Sequence, residues 1–157
     1  MTEDGFTPEE AALVDGLLDV VVPASGDGRL PAAGTLGLAA AIAERIARTP
    51  MLRPVVEYGL GALADRATQR NPGGWAALTA DDRSALVREF AASDDFFMPA
   101  FLFLAYASYY RHPRVVTTLG REPRPPHPEG YAMDEDDWSE ASALLAPVRR
   151  RRKLYRG

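Results

Sequence analysis

The chain has 157 residues and no cysteine, with 18 basic and 22 acidic residues for a net charge of −4. That length suits a single domain with its own core, and the missing cysteines exclude disulfides, thiol catalysis and thiolate metal sites. Six basic residues crowd into Arg149–Arg152, Lys153 and Arg156, so the rest of the chain sets 12 basic against 22 acidic residues, a balance that argues against nucleic acid as the main partner.

The opening MTEDGFTPEE is acidic, without an apolar run or twin arginine, and does not fit a signal peptide. A cytoplasmic location is expected, and a periplasmic one only through export with a partner. Thr7 and Glu10 form a capping box around Pro8, which predicts a helix from Pro8 to Val20 or Val22. Its stripe is Ala11, Leu13, Val14, Leu17, Leu18 and Val21, and Pro23 stops it. Asp15 and Asp19 lie on its flank, solvated, or with one of them bonding the loop that follows. Ser25-Gly26-Asp27-Gly28 is a turn, without the twelve-position pattern of a calcium loop or a dinucleotide fingerprint.

Thr35 is placed to cap a second helix, from Leu36 to about Arg48, with Leu38, Ala39, Ile42, Ile46 and Ala47 inward. A third covers about Leu52 to Arg70. Its Gly59 and Gly61 either admit a neighbouring backbone closely or mark a kink. Asn71-Pro72-Gly73-Gly74 is a turn, and Thr79 caps a fourth helix over about Ala80 to Ala92. Ser93 is expected to cap the next helix, with Asp94 and Asp95 in its first turn.

That next stretch, 94–112, dominates the chain. Seven aromatic residues fall between Phe96 and Tyr110. Residues 97, 101, 104 and 108 share one helical line, and 96, 103, 106 and 110 another. A helix apolar nearly all round is expected to be buried on several sides, as the central helix of a bundle. At about 15 residues its apolar run is short of the roughly 20 that a membrane span needs.

Residues 111–137 carry five prolines and read as a long irregular segment. Tyr131, Met133 and Trp138 give it apolar anchors, so it is expected to wrap the bundle. A last helix runs from Asp137 or Ser139 to Val148. The domain is thus drawn as 1–148, including the wrapping loop 112–138, with a basic tail at 149–157. The expected fold is all-α: a compact bundle of five or six helices with a long proline-rich C-terminal loop.

No catalytic constellation stands out. His112 and His127 are the only histidines, and a metal would need a third ligand such as Glu129 or Asp134 that no spacing enforces. His112 reads as a cap on the end of the aromatic helix. There is no G-x-S-x-G elbow or phosphate loop. The paired carboxylates sit at helix starts, where capping accounts for them. No catalytic, cofactor-binding or metal residue is assigned on this chain. A binding surface is supported instead, with candidates His112, Arg121, Arg124, His127, Tyr131, Met133, Trp138, Arg149 and Arg150. The alternative is a stand-alone small helical enzyme or ligand-binding protein, in which Tyr106, Tyr109, Tyr110, Arg111 and His112 converge on a pocket.

Three motifs occur in a recognisable order. Leu13–Gly28 (LVDGLLDVVVPASGDG) joins an amphipathic helix to a proline and an Asp/Gly loop. Tyr109-Tyr110-Arg111-His112-Pro113 closes the aromatic helix, and Gly130-Tyr131 follows in a loop. Over residues 8 to 135 the chain resembles the gluconate 2-dehydrogenase small-subunit (subunit 3) family. It departs where the family often carries a Tyr-Gly-Gly-Asn-Arg-like run, since only Gly120-Arg121 matches here, and it lacks the twin-arginine signal of many members. The resemblance implies a non-catalytic companion that aids folding, stability or export of a flavin-dependent alcohol or sugar oxidoreductase large subunit. FAD is then expected on the partner and no cofactor on this chain.

Overall fold

The computed structural model describes residues 5–121, 142–143 and 145–147. The chain divides into two units, Met1–Pro123 and Arg124–Gly157, and the fold below is that of the first. It contains α1 (Pro8–Val21), α2 (Leu38–Ala47), α3 (Leu52–Arg70), α4 (Ala80–Ala92), α5 (Phe97–Tyr109) and α6 (Pro113–Thr118), with 3-10 turns at Ala33–Leu36 and Trp75–Ala77. The fold is all-α, and no sheet occurs among the described residues.

Local chemistry sets most helix ends. At α1 the Thr7 hydroxyl accepts from the Glu10 backbone N–H at 3.2 Å, and the Thr7 N–H donates to Glu10 Oε2 at 2.8 Å. Such a cap is worth about 1 kcal/mol. Thr79 repeats half of this device at α4, accepting from Asp82 N–H at 3.2 Å. The start of α2 differs from the sequence expectation. Thr35 does not cap it; its hydroxyl donates back to Ala32 C=O at 2.7 Å inside the 3-10 turn. Gly37 then takes a left-handed conformation, φ 65°, and α2 begins only at Leu38. Ala47 faces solvent rather than the core.

The loop between α1 and α2 is tied to α1 by Asp19, whose Oδ1 accepts from Gly34 N–H at 2.7 Å. A Cβ at Gly34 would overlap the Asp15 carbonyl and the Asp19 carboxylate, so only glycine lets the loop come this close. Asp15 lies beside this contact with Oδ1 buried and without a hydrogen-bond partner. Burial, and then the charge of Asp19, raises its pKa above the ordinary carboxylate value. The Ser25–Leu30 turn uses its own carboxylate internally: Asp27 Oδ1 accepts from the Ser25 hydroxyl and from Arg29 N–H.

Packing follows the apolar stripes. Leu13, Val14, Leu17 and Leu18 of α1 share one core with Ile42 and Ile46 of α2, Leu60 and Leu63 of α3, Leu86 and Phe90 of α4, and Phe101 and Leu104 of α5. The α5 helix lies against α3 and α2, while α1 contacts α2, α3, α4 and the first 3-10 turn. After α5 the chain is not irregular at once. Pro113 occupies the first helical turn, where its missing N–H costs nothing, and a six-residue helix forms. The rest of the proline-rich segment, the wrapping arrangement and most of the expected last helix lie outside the described residues, although 142–143 and 145–147 are helical.

Candidate docking surface

The rotation of α5 about its axis decides what the protein presents to its surroundings. Three contacts fix it. The Phe97 ring lies on the backbone of α3 at Gly59, where any Cβ would overlap the ring. Phe97 also meets Phe90 of α4 edge-on, centroids 5.9 Å apart, and leans on Phe101 at 5.5 Å. At the far end the Tyr109 hydroxyl donates to Pro31 C=O at 2.8 Å. The N-terminal turn is held by Asp94, whose Oδ2 accepts from Met98 N–H at 2.6 Å. Ser93 does not cap α5 as expected from the sequence; it ends α4, its N–H donating to Phe90 C=O.

With α5 so held, Phe97, Phe101, Leu104 and Ser108 are buried. The second aromatic line faces out: Phe96 is 77% exposed, Phe103 63%, Tyr106 44% and Tyr110 52%. The helix is thus buried on the sides that face α2 and α3, and this line is the side left open. The outward rings are not isolated. Tyr106 stacks on Tyr110, centroids 6.2 Å apart and planes at 18°. Phe96 borders a shallow apolar groove of about 270 Å³ with Pro54, Val55 and Tyr58 of α3, and Tyr58 is itself exposed. Contiguous apolar exposure of this kind marks interaction surfaces. Its ends differ in charge: Asp94 and Asp95 precede Phe96, while Arg111 and Arg114 follow Tyr110.

Sequence reasoning placed the binding surface further along the chain. Of its candidates, His112 is half-buried at the start of α6, and its side chain caps neither α5 nor α6. Arg121 is exposed, its N–H donating to Val116 C=O at 3.1 Å. Arg124, His127, Tyr131, Met133, Trp138, Arg149 and Arg150 lie outside the described residues. Nor do the five residues of the alternative reading share one pocket. Tyr109 is buried and committed to Pro31, Tyr106 and Tyr110 face out, and only Arg111 and His112 line a common cleft. Phe96 and Phe103 were not singled out, and Tyr106 and Tyr110 were singled out only for a pocket. Their helical spacing was visible in the sequence, but hydropathy does not distinguish a line that meets the core from one that meets a partner.

Among the described residues there is no group of three or more histidine, cysteine or acidic side chains arranged to hold a metal. No described helix is long and apolar enough to cross a membrane. The profile of the family described as Gluconate 2-dehydrogenase subunit 3 matches residues 8–126. The chain belongs to that family. The gluconate 2-dehydrogenase subunit 3 match covers all six helices, α5 and its outward aromatic line included. Searches of curated proteins and of solved structures gave no match.

Proposed function

We propose that this chain is a non-catalytic accessory subunit that stabilises or matures the large subunit of a flavin-dependent alcohol or sugar oxidoreductase. In this reading FAD and the hydride chemistry belong to the partner. The observation that carries the proposal is the outward line of Phe96, Phe103, Tyr106 and Tyr110 on a helix whose other line is fully buried. Removing these rings from water is worth roughly 25 cal/mol per Å² of apolar area, and aromatic side chains concentrate binding energy at interfaces. The acidic and basic ends of the line fix the direction in which a partner strip with the opposite polarity docks.

The segment beyond α6 supplies a second set of contacts in the same proposal. Tyr131, Met133 and Trp138 serve as apolar anchors, and Arg121, Arg124, Arg149 and Arg150 meet carboxylates of the large subunit. His112 and His127 are further candidates for this set.

Co-expression with the proteins encoded by its genomic neighbours, followed by co-purification and an absorbance spectrum, tests the reading. The expected result is a complex with a flavin spectrum whose yield falls when Phe103 and Tyr106 are both changed to serine. A chain that never retains a flavoprotein, or a complex indifferent to that double change, rules the proposal out. Trp138→Ala tests the second set: it should weaken the complex and leave the melting temperature of the free subunit within a few degrees.

A further inference from the structure

The C-terminal ends of α2 and α5 meet across an open cleft of about 540 Å³. Seven of its lining residues are polar: Glu44, Arg45, Arg48 and Thr49 from the α2 side, and Ser108, Arg111 and His112 from the α5 side. Three guanidinium groups therefore face one carboxylate, and Glu44 is taken, since its Oε1 accepts from Arg48 Nη2 at 2.5 Å. Arg45 and Arg111 make no ion pair or side-chain hydrogen bond among the described residues.

Five other arginines of the bundle are paired, stacked or bonded, whereas Arg29, Arg114 and Arg121 are exposed and, like Arg111, make no ion pair or side-chain hydrogen bond among the described residues. Arg70 pairs with Glu89, Arg53 with Glu57, and Arg66 lies over the Phe90 ring. Arg83 donates to the carbonyls of Trp75 and Ala76, and Arg88 donates to Ser84 C=O. The cleft thus holds two arginines without partners, one of them half-buried.

Basic residues at helix C-termini are ordinary, because they offset the dipole and bond the last carbonyls. That account covers their position but not two further facts. Neither Arg45 nor Arg111 bonds a carbonyl. The cleft also contains a buried polar atom without a partner among the described residues, His112 Nδ1, and Ser108, a residue 8% exposed, contributes a hydroxyl to its lining. Buried polar groups normally find partners.

The geometry points to a binding site for a small oxyanion, a carboxylate or a phosphate, in the cleft between the ends of α2 and α5. Arg45 and Arg111 supply charge-assisted, forked hydrogen bonds suited to such oxygens. The Ser108 hydroxyl donates from the floor, and the His112 ring forms part of the wall. The site shares Arg111 with the basic end of the aromatic line, but it can be tested without a flavoprotein partner.

The test uses the full-length chain alone. The His112 ring resonance, identified against a His127→Gln variant, is followed while inorganic phosphate or citrate replaces chloride at constant ionic strength. Saturable movement is expected, with a dissociation constant of about 1 mM or tighter. Arg111→Gln should weaken it about tenfold or more, and Arg45→Gln likewise. Arg29→Gln, exposed and outside the cleft, should leave it unchanged. A response to phosphate only assigns phosphate, and one to citrate only assigns carboxylates. No saturable movement, or movement that survives the Arg45→Gln, Arg111→Gln double variant, overturns the site. Arg111 is exposed, so its single variant keeps the test valid if Arg45→Gln fails to fold.

Discussion

The two lines of α5 carry nearly the same chemistry and have opposite fates. Phe97, Phe101 and Leu104 are buried, and Phe96, Phe103 and Tyr110 are exposed, on one helix of 13 residues and its flanks. Hydropathy does not separate them. What does is a vacancy on another helix: Gly59 leaves the α3 backbone bare, and the Phe97 ring fills that space. The rotation of a uniformly apolar helix is thus set by the shape of its neighbour, and the line left outside becomes available to a partner.

The sharpest way to break this comparison is to truncate matched residues on the two lines. Phe101→Ala should destabilise the free subunit by about 3–5 kcal/mol, measured by urea unfolding, because it opens a cavity in a closed core. A loss below about 1 kcal/mol would mean that the buried line is not core. Gly59→Ala comes next. Its methyl group must displace the Phe97 ring, for a cost of about 1–3 kcal/mol, and α5 should turn or shift, which a changed near-ultraviolet circular dichroism spectrum would report.

Tyr109 sharpens the comparison through pH. Tyr109→Phe leaves Pro31 C=O without its donor and should cost about 1 kcal/mol. Burial, then the neighbouring Tyr110, raises the Tyr109 phenol above its ordinary value. A phenol whose folded pKa exceeds its unfolded value of about 10 contributes stability below that value and loses it as pH rises toward the folded pKa. The wild-type chain should therefore lose stability above about pH 10 more steeply than Tyr109→Phe. Parallel pH profiles would remove Tyr109 from the inner line.

The smallest effect is expected outside. Phe103→Ala should change the stability of the free subunit by no more than about 0.5 kcal/mol, while weakening any complex that docks on this face. If it instead unfolds the chain, the outer line is structural and the proposed interface fails.

Where local chemistry decides, the sequence was legible. The Thr7–Glu10 box, the Thr79 cap and the limits of α3 and α4 follow from residues within one turn of each end. At Gly59 the sequence suggested a closely approaching backbone or a kink, whereas the structure seats the Phe97 side chain there, and Gly61 faces open space. The delayed start of α2 was not legible, because Thr35 is a good cap in isolation and loses only to the left-handed turn at Gly37. Asp19 could be read as solvated or as a loop tether, and only the fold brings Gly34 to it. The cleft was hidden for a similar reason. Arg45 and Ser108 are 63 positions apart in the chain, and nothing local to either marks the other.

The bond from Tyr109 to Pro31 spans 78 positions of chain. During synthesis the loop after α1 emerges early, with its Asp19 tether available but its last anchor not yet made. At roughly 5–20 residues per second, several seconds pass before Tyr109 exists. Throughout that interval α1 to α4 lack the helix that covers Gly59 and secures Pro31. The nascent chain therefore holds an open apolar seam, which closes only when the aromatic segment arrives.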